Sequence, residues 1–211
     1  MNPPTPAVFV VDDESSVRSA VARLMRSAGL AVTTFASPQA FLDAYRADVP
    51  GCLILDVSMP GISGLELQEA LARRDGVPPP IVFLTGRGDI PMSVRAMKQG
   101  AVDFLTKPID GDELIRAVRG ALDRELASWK SRSELTETQR RLATLTARER
   151  EVLEHVISGR LNKQTAADLG TAEKTIKVHR ARVMRKMNVQ SLAELVRLVE
   201  TVGVAPSTPS A

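Results

Sequence analysis

The sequence predicts an α/β domain built on a five-stranded parallel sheet, followed by an all-α domain of four helices. Three observations lead there. Five short runs rich in apolar and β-branched residues, at 7–11, 31–35, 52–55, 81–84 and 102–106, alternate with stretches of helical period. Those at 7–11, 52–55 and 81–84 are apolar throughout, the pattern of parallel strands covered on both faces. After Thr146 the chain shows only helical spacing, punctuated by capping signatures.

Ala7-Val8-Phe9-Val10-Val11 opens the sheet and stops at Asp12-Asp13-Glu14. Ser15 or Ser16 can cap the first helix, in which Val17, Ala20, Val21, Leu24, Met25 and Ala28 recur at helical spacing before Gly29 ends it. Ala31 to Phe35 is a β-branched strand, Ser37-Pro38 starts a helix through about Ala47, and Pro50-Gly51 leads into the run from Cys52 to Leu55. Gly64 to about Arg74 is helical again. Pro78-Pro79-Pro80 leads rigidly into the run from Ile81, and Pro91 to Lys98 is a helix closed by Gly100. Strands alternating with helices in this way require right-handed parallel crossovers, hence a flavodoxin-like sheet with its switch point at the acidic cluster. From Asp112 a helix carries Ile115, Val118, Leu122, Leu126 and Trp129 on one stripe, and the charged stretch to Arg141 reads as a partly helical linker.

Function is expected where the strands end. Asp56 sits at the carboxyl end of its strand, the edge where open α/β sheets bind ligands. Alone it reads as a residue that starts a turn; the other strand ends alter that. Asp12, Asp13 and Glu14 end the first strand, and carboxylates gathered at one edge repel unless a hard cation such as Mg²⁺ holds them through oxygen. Thr85 brings a hydroxyl and Lys107 an ammonium to the same edge. A nucleophilic carboxylate, a metal site, a hydroxyl and a cation are the parts needed to receive a phosphoryl group.

Composition bounds the rest. At 211 residues with 44% hydrophobic and 25% charged, the chain is an ordinary globular sequence of two modest domains. Apolar stretches fall short of a membrane span, and Met1-Asn2-Pro3-Pro4 lacks a signal peptide's basic, apolar start, so a cytoplasmic protein with no membrane partner is expected. The single Cys52 lies in a buried run and reads as core packing. Up to residue 125 there are 13 Lys and Arg against 16 Asp and Glu; beyond it, 15 against 9. An acidic half joined to a basic half fits a regulator fused to a polyanion binder, with a merely solvated basic surface as the alternative.

Helix punctuation in the basic half decides for the binder. Thr146 with Glu149 forms a capping box, opening a helix with Val152, Leu153, Val156 and Ile157 inside. Asn162 can cap a short helix carrying Ala166, Ala167 and Leu169, and Gly170-Thr171 ends it and caps the next. That third helix turns Ile176, His179, Val183 and Met187 inward, with His179 read as a hydrogen-bonded core histidine. Lys174, Lys177, Arg180, Arg182, Arg185 and Lys186 decorate its exposed sides. Ser191 with Glu194 caps a fourth. Two helices, a Gly turn and a basic following helix make a helix-turn-helix.

The Asp12-Asp13 pair, LILDVSMPG at 53–61, LTGRGD at 84–89 and FLTKP at 104–108 resemble, in order and spacing, the receiver domain of two-component response regulators. GRGDIPMSVRAMKQGAVDFLTKP looks most like the FixJ branch. LTARERE, GRLNKQTAADLG, TIKVHRARVMRKM and SLAELVRL resemble the LuxR/FixJ four-helix DNA-binding domain, which places the chain in the NarL/FixJ group. The resemblance implies that Asp56 accepts a phosphoryl group from a sensor histidine kinase. Asp12, Asp13, Asp56 and the Ser58 backbone carbonyl would hold Mg²⁺, and Thr85 and Lys107 would contact the phosphoryl oxygens. Phe104 would be the aromatic whose rotamer reports the state, and Lys107-Pro108 would be cis. Lys174, Lys177, Val178 and Ala181 would face the major groove, with Arg180, Arg182, Arg185 and Lys186 divided between phosphates and surface.

The expected organisation is a receiver at 1–125, a helical linker at 126–141, the DNA-binding domain at 142–204 and a disordered tail at 205–211. Function is then transcription regulation by phosphorylation, with double-stranded promoter DNA as partner and RNA polymerase admitted as another. Phosphorylation is expected to form a homodimer through the helix from Pro91 to Gln99 and the strand carrying Phe104. Such a protein is a phosphoryl acceptor with at most slow self-dephosphorylation, not a turnover enzyme. Two rivals stand beside it. A haloacid-dehalogenase-like phosphatase needs a second Asp where Ser58 stands, and a phosphorylation-independent DNA-binding regulator leaves the full acidic set unexplained.

Overall fold

The structure, a computed structural model, describes residues 5–46, 49–74, 76–86 and 90–204. The 205–211 tail and the Arg87 to Asp89 part of the quoted motif lie outside the described residues. The chain divides into two compact units, 1–130 and 131–211.

In the first unit, β1 (Ala7–Val11), α1 (Ser15–Ser27), β2 (Ala31–Phe35), α2 (Pro38–Ala44), β3 (Gly51–Asp56), α3 (Gly64–Ala72), β4 (Ile81–Thr85), α4 (Ile90–Lys98) and β5 (Asp103–Thr106) follow in order. The sheet is parallel throughout with strand order β2-β1-β3-β4-β5, the flavodoxin-like order the alternation predicted. Side chains alternate across it. Val8, Val10, Cys52, Ile54, Val82 and Leu84 pack with Val21 and Met25 of α1. Phe9, Val11, Leu53, Leu55 and Phe83 pack with Phe41, Leu67, Leu71 and Ala96 from α2, α3 and α4. The two layers bury both faces of the central strands, which is why β1, β3 and β4 carry no polar residues before their ends, whereas the largely exposed edge strand β2 carries Thr33 and Thr34.

Helix α5 (Gly111–Ala143) is unbroken, so the segment expected to be partly helical is helical throughout. Its Leu114, Val118, Ala121 and Leu122 complete the first layer, and its Leu142 joins the second unit's core. That unit continues with α6 (Ala147–Ile157), α7 (Asn162–Asp168), α8 (Glu173–Met187) and α9 (Leu192–Glu200). Val152, Leu153, Val156, Ile176, Val183, Met187, Leu195 and Val199 form its buried centre.

The caps sort into two groups. Ser37, Ser63, Thr146 and Ser191 each accept a backbone N–H of the first turn, and Ser63 and Thr146 complete capping boxes with Glu66 and Glu149. Three expected caps are replaced. Glu14 precedes α1, and its own N–H donates to the Asp12 carboxylate. Leu161 precedes α7, where Gln164 Oε1 accepts the Leu161 N–H. Ala172 precedes α8 without a side-chain cap. Because α7 begins at Asn162, its inward positions fall on Thr165 and Ala166, and Ala167 is exposed.

Candidate functional site

Asp12 and Asp56 stand at the carboxyl ends of β1 and β3, adjacent strands at the switch point of the sheet. Both are almost wholly buried, at 1% and 4% exposure. Lys107, just past β5, donates from Nζ to Asp56 Oδ1 at 2.7 Å and to Asp12 Oδ2 at 2.9 Å. The remaining oxygens are also engaged: Asp56 Oδ2 accepts the Ser58 N–H at 2.9 Å and Asp12 Oδ1 accepts the Glu14 N–H at 2.8 Å. Burial pushes the Asp56 carboxyl above its usual range despite the ammonium beside it. Burial pulls Lys107 down, but its ion pairs outweigh that and its net shift is upward. An ammonium bridging two buried carboxylates is thus the resting electrostatic arrangement.

Asp12 and Asp56 meet at Lys107, and Asp13 lies outside that pair. Asp13 is exposed, and among the described residues no three acidic, His or Cys side chains are grouped to hold a metal. The Lys107 ammonium faces both buried carboxylates. The donor chemistry nonetheless fits Mg²⁺: Asp12, Asp13 and Asp56 offer hard anionic oxygens only, with Asp13 on the solvent side. Ser58 is exposed and meets Asp56 through its N–H.

Thr85 ends β4 beside Thr106 and is fully buried. Its carbonyl accepts the Lys107 N–H at 2.7 Å, which ties the hydroxyl-bearing and ammonium-bearing strand ends together. Phe104 is half-buried, its ring 6.0 Å from that of Phe83. Lys107-Pro108 is cis, as the resemblance implied.

Two neighbours escaped the sequence reading. Arg18 of α1 donates to the carbonyls of Asp12 at 2.6 Å and Asp13 at 3.2 Å, fastening the acidic turn. Gly64 opens α3 so close to β3 that a Cβ there would collide with the Asp56 carbonyl oxygen. A glycine directly after an N-cap serine, where helices favour better formers, was the signal available.

In the second unit α8 divides by helical angle. Lys174, Lys177, Val178, Ala181, Arg182 and Arg185 are exposed, while Ile176, Val183 and Met187 are buried on the opposite side. Val178 is 45% exposed, and Lys177 pairs with Glu173 at 3.1 Å. Two expected surface cations point elsewhere. Arg180, four residues after Ile176, is half-buried and donates to Asn162 Oδ1 at 3.3 Å. Lys186, three after Val183, donates to buried Glu149 at 2.6 Å and to the Thr144 carbonyl at 2.9 Å. Their positions on the flank of the buried stripe explain both. His179 is half-buried, and its Nδ1 has no partner, contrary to the expected hydrogen bond.

The fold and these side chains define a class: a receiver-type α/β unit carrying a strand-end carboxylate, joined to a helix-turn-helix with a basic outer face. Residues 8–119 match the response regulator receiver domain, and residues 143–199 match the luxR family of bacterial regulatory proteins. The chain is 46% identical to nodulation protein W of Bradyrhizobium diazoefficiens over 94% of its own length and 87% of the relative's. It is 47% identical to the transcriptional regulatory protein FixJ of Azorhizobium caulinodans, covering 95% and 94%. The low-resolution structure of the response regulator StyR, 48% identical, superposes with a TM-score of 0.86 over 93% of this chain and 98% of that one. Full-length FixJ from B. japonicum, 41% identical, gives 0.56 over 95% and 98%. The chain belongs to the NarL/FixJ family of two-component response regulators: a receiver followed by a LuxR-type DNA-binding domain, a transcription regulator of a kind typically activated by phosphorylation. No helix among the described residues is long and apolar enough to cross a membrane.

Proposed function

We propose that Asp56 accepts a phosphoryl group from a sensor histidine kinase and that this acceptance controls duplex DNA binding by α8. The observation that carries the reading is the Lys107 ammonium shared between Asp56 and Asp12 at the sheet's switch point. A carboxylate oxygen of Asp56 attacks phosphorus, the bond from phosphorus to the donor's imidazole nitrogen breaks, and the electron pair leaves with the imidazole. Lys107 then follows the negative charge from the carboxylate onto a phosphoryl oxygen. Asp12, Asp13, Asp56 and the Ser58 carbonyl would hold Mg²⁺, which would supply charge neutralisation between carboxylate and phosphate.

Thr85, buried at the end of β4, offers its hydroxyl to a second phosphoryl oxygen. Its inward movement opens space for the Phe104 ring, the two-state repacking that turns local charge into a surface change. The surface lies on α4, where Ile90, Val94 and Met97 are exposed at 78%, 44% and 45%. We assign it to homodimer formation, which would place two α8 helices on paired half-sites and raise affinity through effective concentration. Lys174, Lys177, Val178 and Ala181 read the groove, and Arg182 and Arg185 bind phosphates. Arg180 and Lys186 hold the helix instead. The protein works in the cytoplasm at promoters, where RNA polymerase is a further partner, and it is a phosphoryl acceptor with slow self-dephosphorylation.

A radiolabelled phosphoryl donor tests the assignment. Asp56→Asn should abolish Mg²⁺-dependent labelling, and a labelled peptide containing Ser58 or Thr85 in place of Asp56 would overturn it.

A further inference from the structure

Helix α4 is held by polar groups out of proportion to its apolar anchorage. Among its described residues Ala96 alone is buried, with Met92 packed partly against the core. The hold comes from two consecutive residues of α3. Gln68, only 4% exposed, donates from Nε2 to the Ala96 and Gln99 carbonyls, each at 3.2 Å. Glu69 Oε1 accepts from Arg95 at 2.6 Å and from Gln99 Nε2 at 3.0 Å.

Those contacts fall on one place, the carboxyl end of α4. The helix stops there in a Schellman arrangement, with Gly100 N–H donating to the Met97 carbonyl and Ala101 N–H to the Ala96 carbonyl. Gly100 has a φ of +92°, which only a residue without a side chain adopts cheaply. Gln68 therefore grips the partly unsatisfied carbonyls where the helix dipole is negative. Its own Oε1 is buried and has no hydrogen-bond partner. The amide is matched on its donor side and unmatched on its acceptor side, so the grip is made at the expense of a desolvated acceptor. A contact balanced in that way can be released without losing a core.

We propose that Gln68 and Glu69 form a latch on the carboxyl end of α4, setting how much of the unphosphorylated protein keeps α4 in its resting position. The proposal rests on the reading of Asp56 as phosphoacceptor, since phosphorylation is what would draw α4 away. A phosphoryl group shifts the equilibrium only by its differential affinity for the two states, and the latch sets the starting population against which that affinity works. Linkage then requires that loosening the latch tighten binding of a phosphoryl mimic.

The test uses the full chain as wild type, Gln68→Met and Glu69→Ala. Gln68→Met keeps volume and removes both donors, while Glu69→Ala loosens the same end from its rim and leaves the core intact. Amide exchange is measured without any ligand at Gln99, Gly100 and Ala101, and in β1 and β3. Beryllofluoride with Mg²⁺ is then titrated into each variant. The latch predicts exchange at the three α4-end amides faster by about tenfold for Gln68→Met, unchanged exchange in the strands, and a beryllofluoride affinity tighter by several-fold. Glu69→Ala should move both readouts the same way by less. Unchanged exchange in both variants overturns the proposal, as does faster exchange with unchanged or weaker beryllofluoride binding, which marks a structural contact only. Wild-type protein that does not bind beryllofluoride at Asp56 refutes the phosphoacceptor reading instead, and exchange still shows whether Gln68 holds the helix end.

Discussion

Replacing Lys186 by Met should loosen the DNA-binding unit in a manner that pH reveals. Glu149 is 3% exposed, and hydrogen bonds from Lys186, then from the Thr146 N–H, hold its carboxyl down near 2 from an ordinary 4.5. A depressed native value contributes stability that is fully present above the unfolded value and is lost as pH falls through about 2. That displacement corresponds to about 3 kcal/mol at neutral pH, and breaking a buried pair from one side costs about 3–5 kcal/mol. The Lys186 side chain is 31% exposed, so solvent screens part of the pair, and the Thr146 N–H survives the substitution. A loss of about 2–3 kcal/mol remains, or roughly 30- to 150-fold faster exchange of the slowest amides in α6 and α8. Native-state hydrogen exchange on the full chain reads this directly. The difference should be largest near pH 7 and shrink as pH falls from the unfolded value near 4.5 towards about 2, the window over which the depressed carboxyl's contribution is lost. In a Glu149→Gln background Lys186→Met should cost far less. A difference independent of pH, or full additivity with Glu149→Gln, would refute the ion-pair account and leave Lys186 as a surface cation.

Other substitutions test the remaining assignments. Lys107→Ala should leave measurable Mg²⁺-dependent phosphoryl acceptance while weakening its coupling to DNA binding, checked by labelling and mobility shift on the same samples. Lys177→Ala should cost about 1–3 kcal/mol of discrimination between cognate and scrambled duplex if it reads a base. Arg185→Ala should instead weaken binding to both alike and reduce the salt slope by about one counterion. Sedimentation with beryllofluoride and Mg²⁺ should convert monomer to dimer, and Val94→Glu on the exposed face of α4 should prevent it; a dimer unaffected by that charge would move the interface elsewhere.

The first unit was legible because its chemistry coincides with its strand ends. A strand buried on both faces must be apolar, so Asp12, Asp56 and Thr85 stand out where such runs stop. Helix ends were legible where a serine or threonine hydroxyl does the capping, as at Ser37, Thr146 and Ser191. They were misplaced where Asp12 or Gln164 satisfies the backbone from a neighbouring position. Long-range pairings carry no sequence mark. Nothing local says that Lys186 reaches Glu149 37 residues away, or that Lys107 bridges Asp12 and Asp56 and leaves Asp13 to solvent. Helical angle would have separated Arg180 and Lys186 from the exposed cations of α8, since both flank the stripe of Ile176 and Val183. Gln68 was hidden for a different reason: a polar residue on an amphipathic helix reads as exposed until the neighbouring helix end supplies carbonyls for its amide.

On the proposed reading, phosphorylation of Asp56 controls where α8 binds duplex DNA. Genome-wide occupancy, compared between cells carrying the intact protein and cells carrying Asp56→Asn, measures that most directly, with the kinase input on and off. Discrete promoter sites should fill when the input is on, and that response should be lost in Asp56→Asn. Equal occupancy of the same sites by both proteins under both conditions would contradict it.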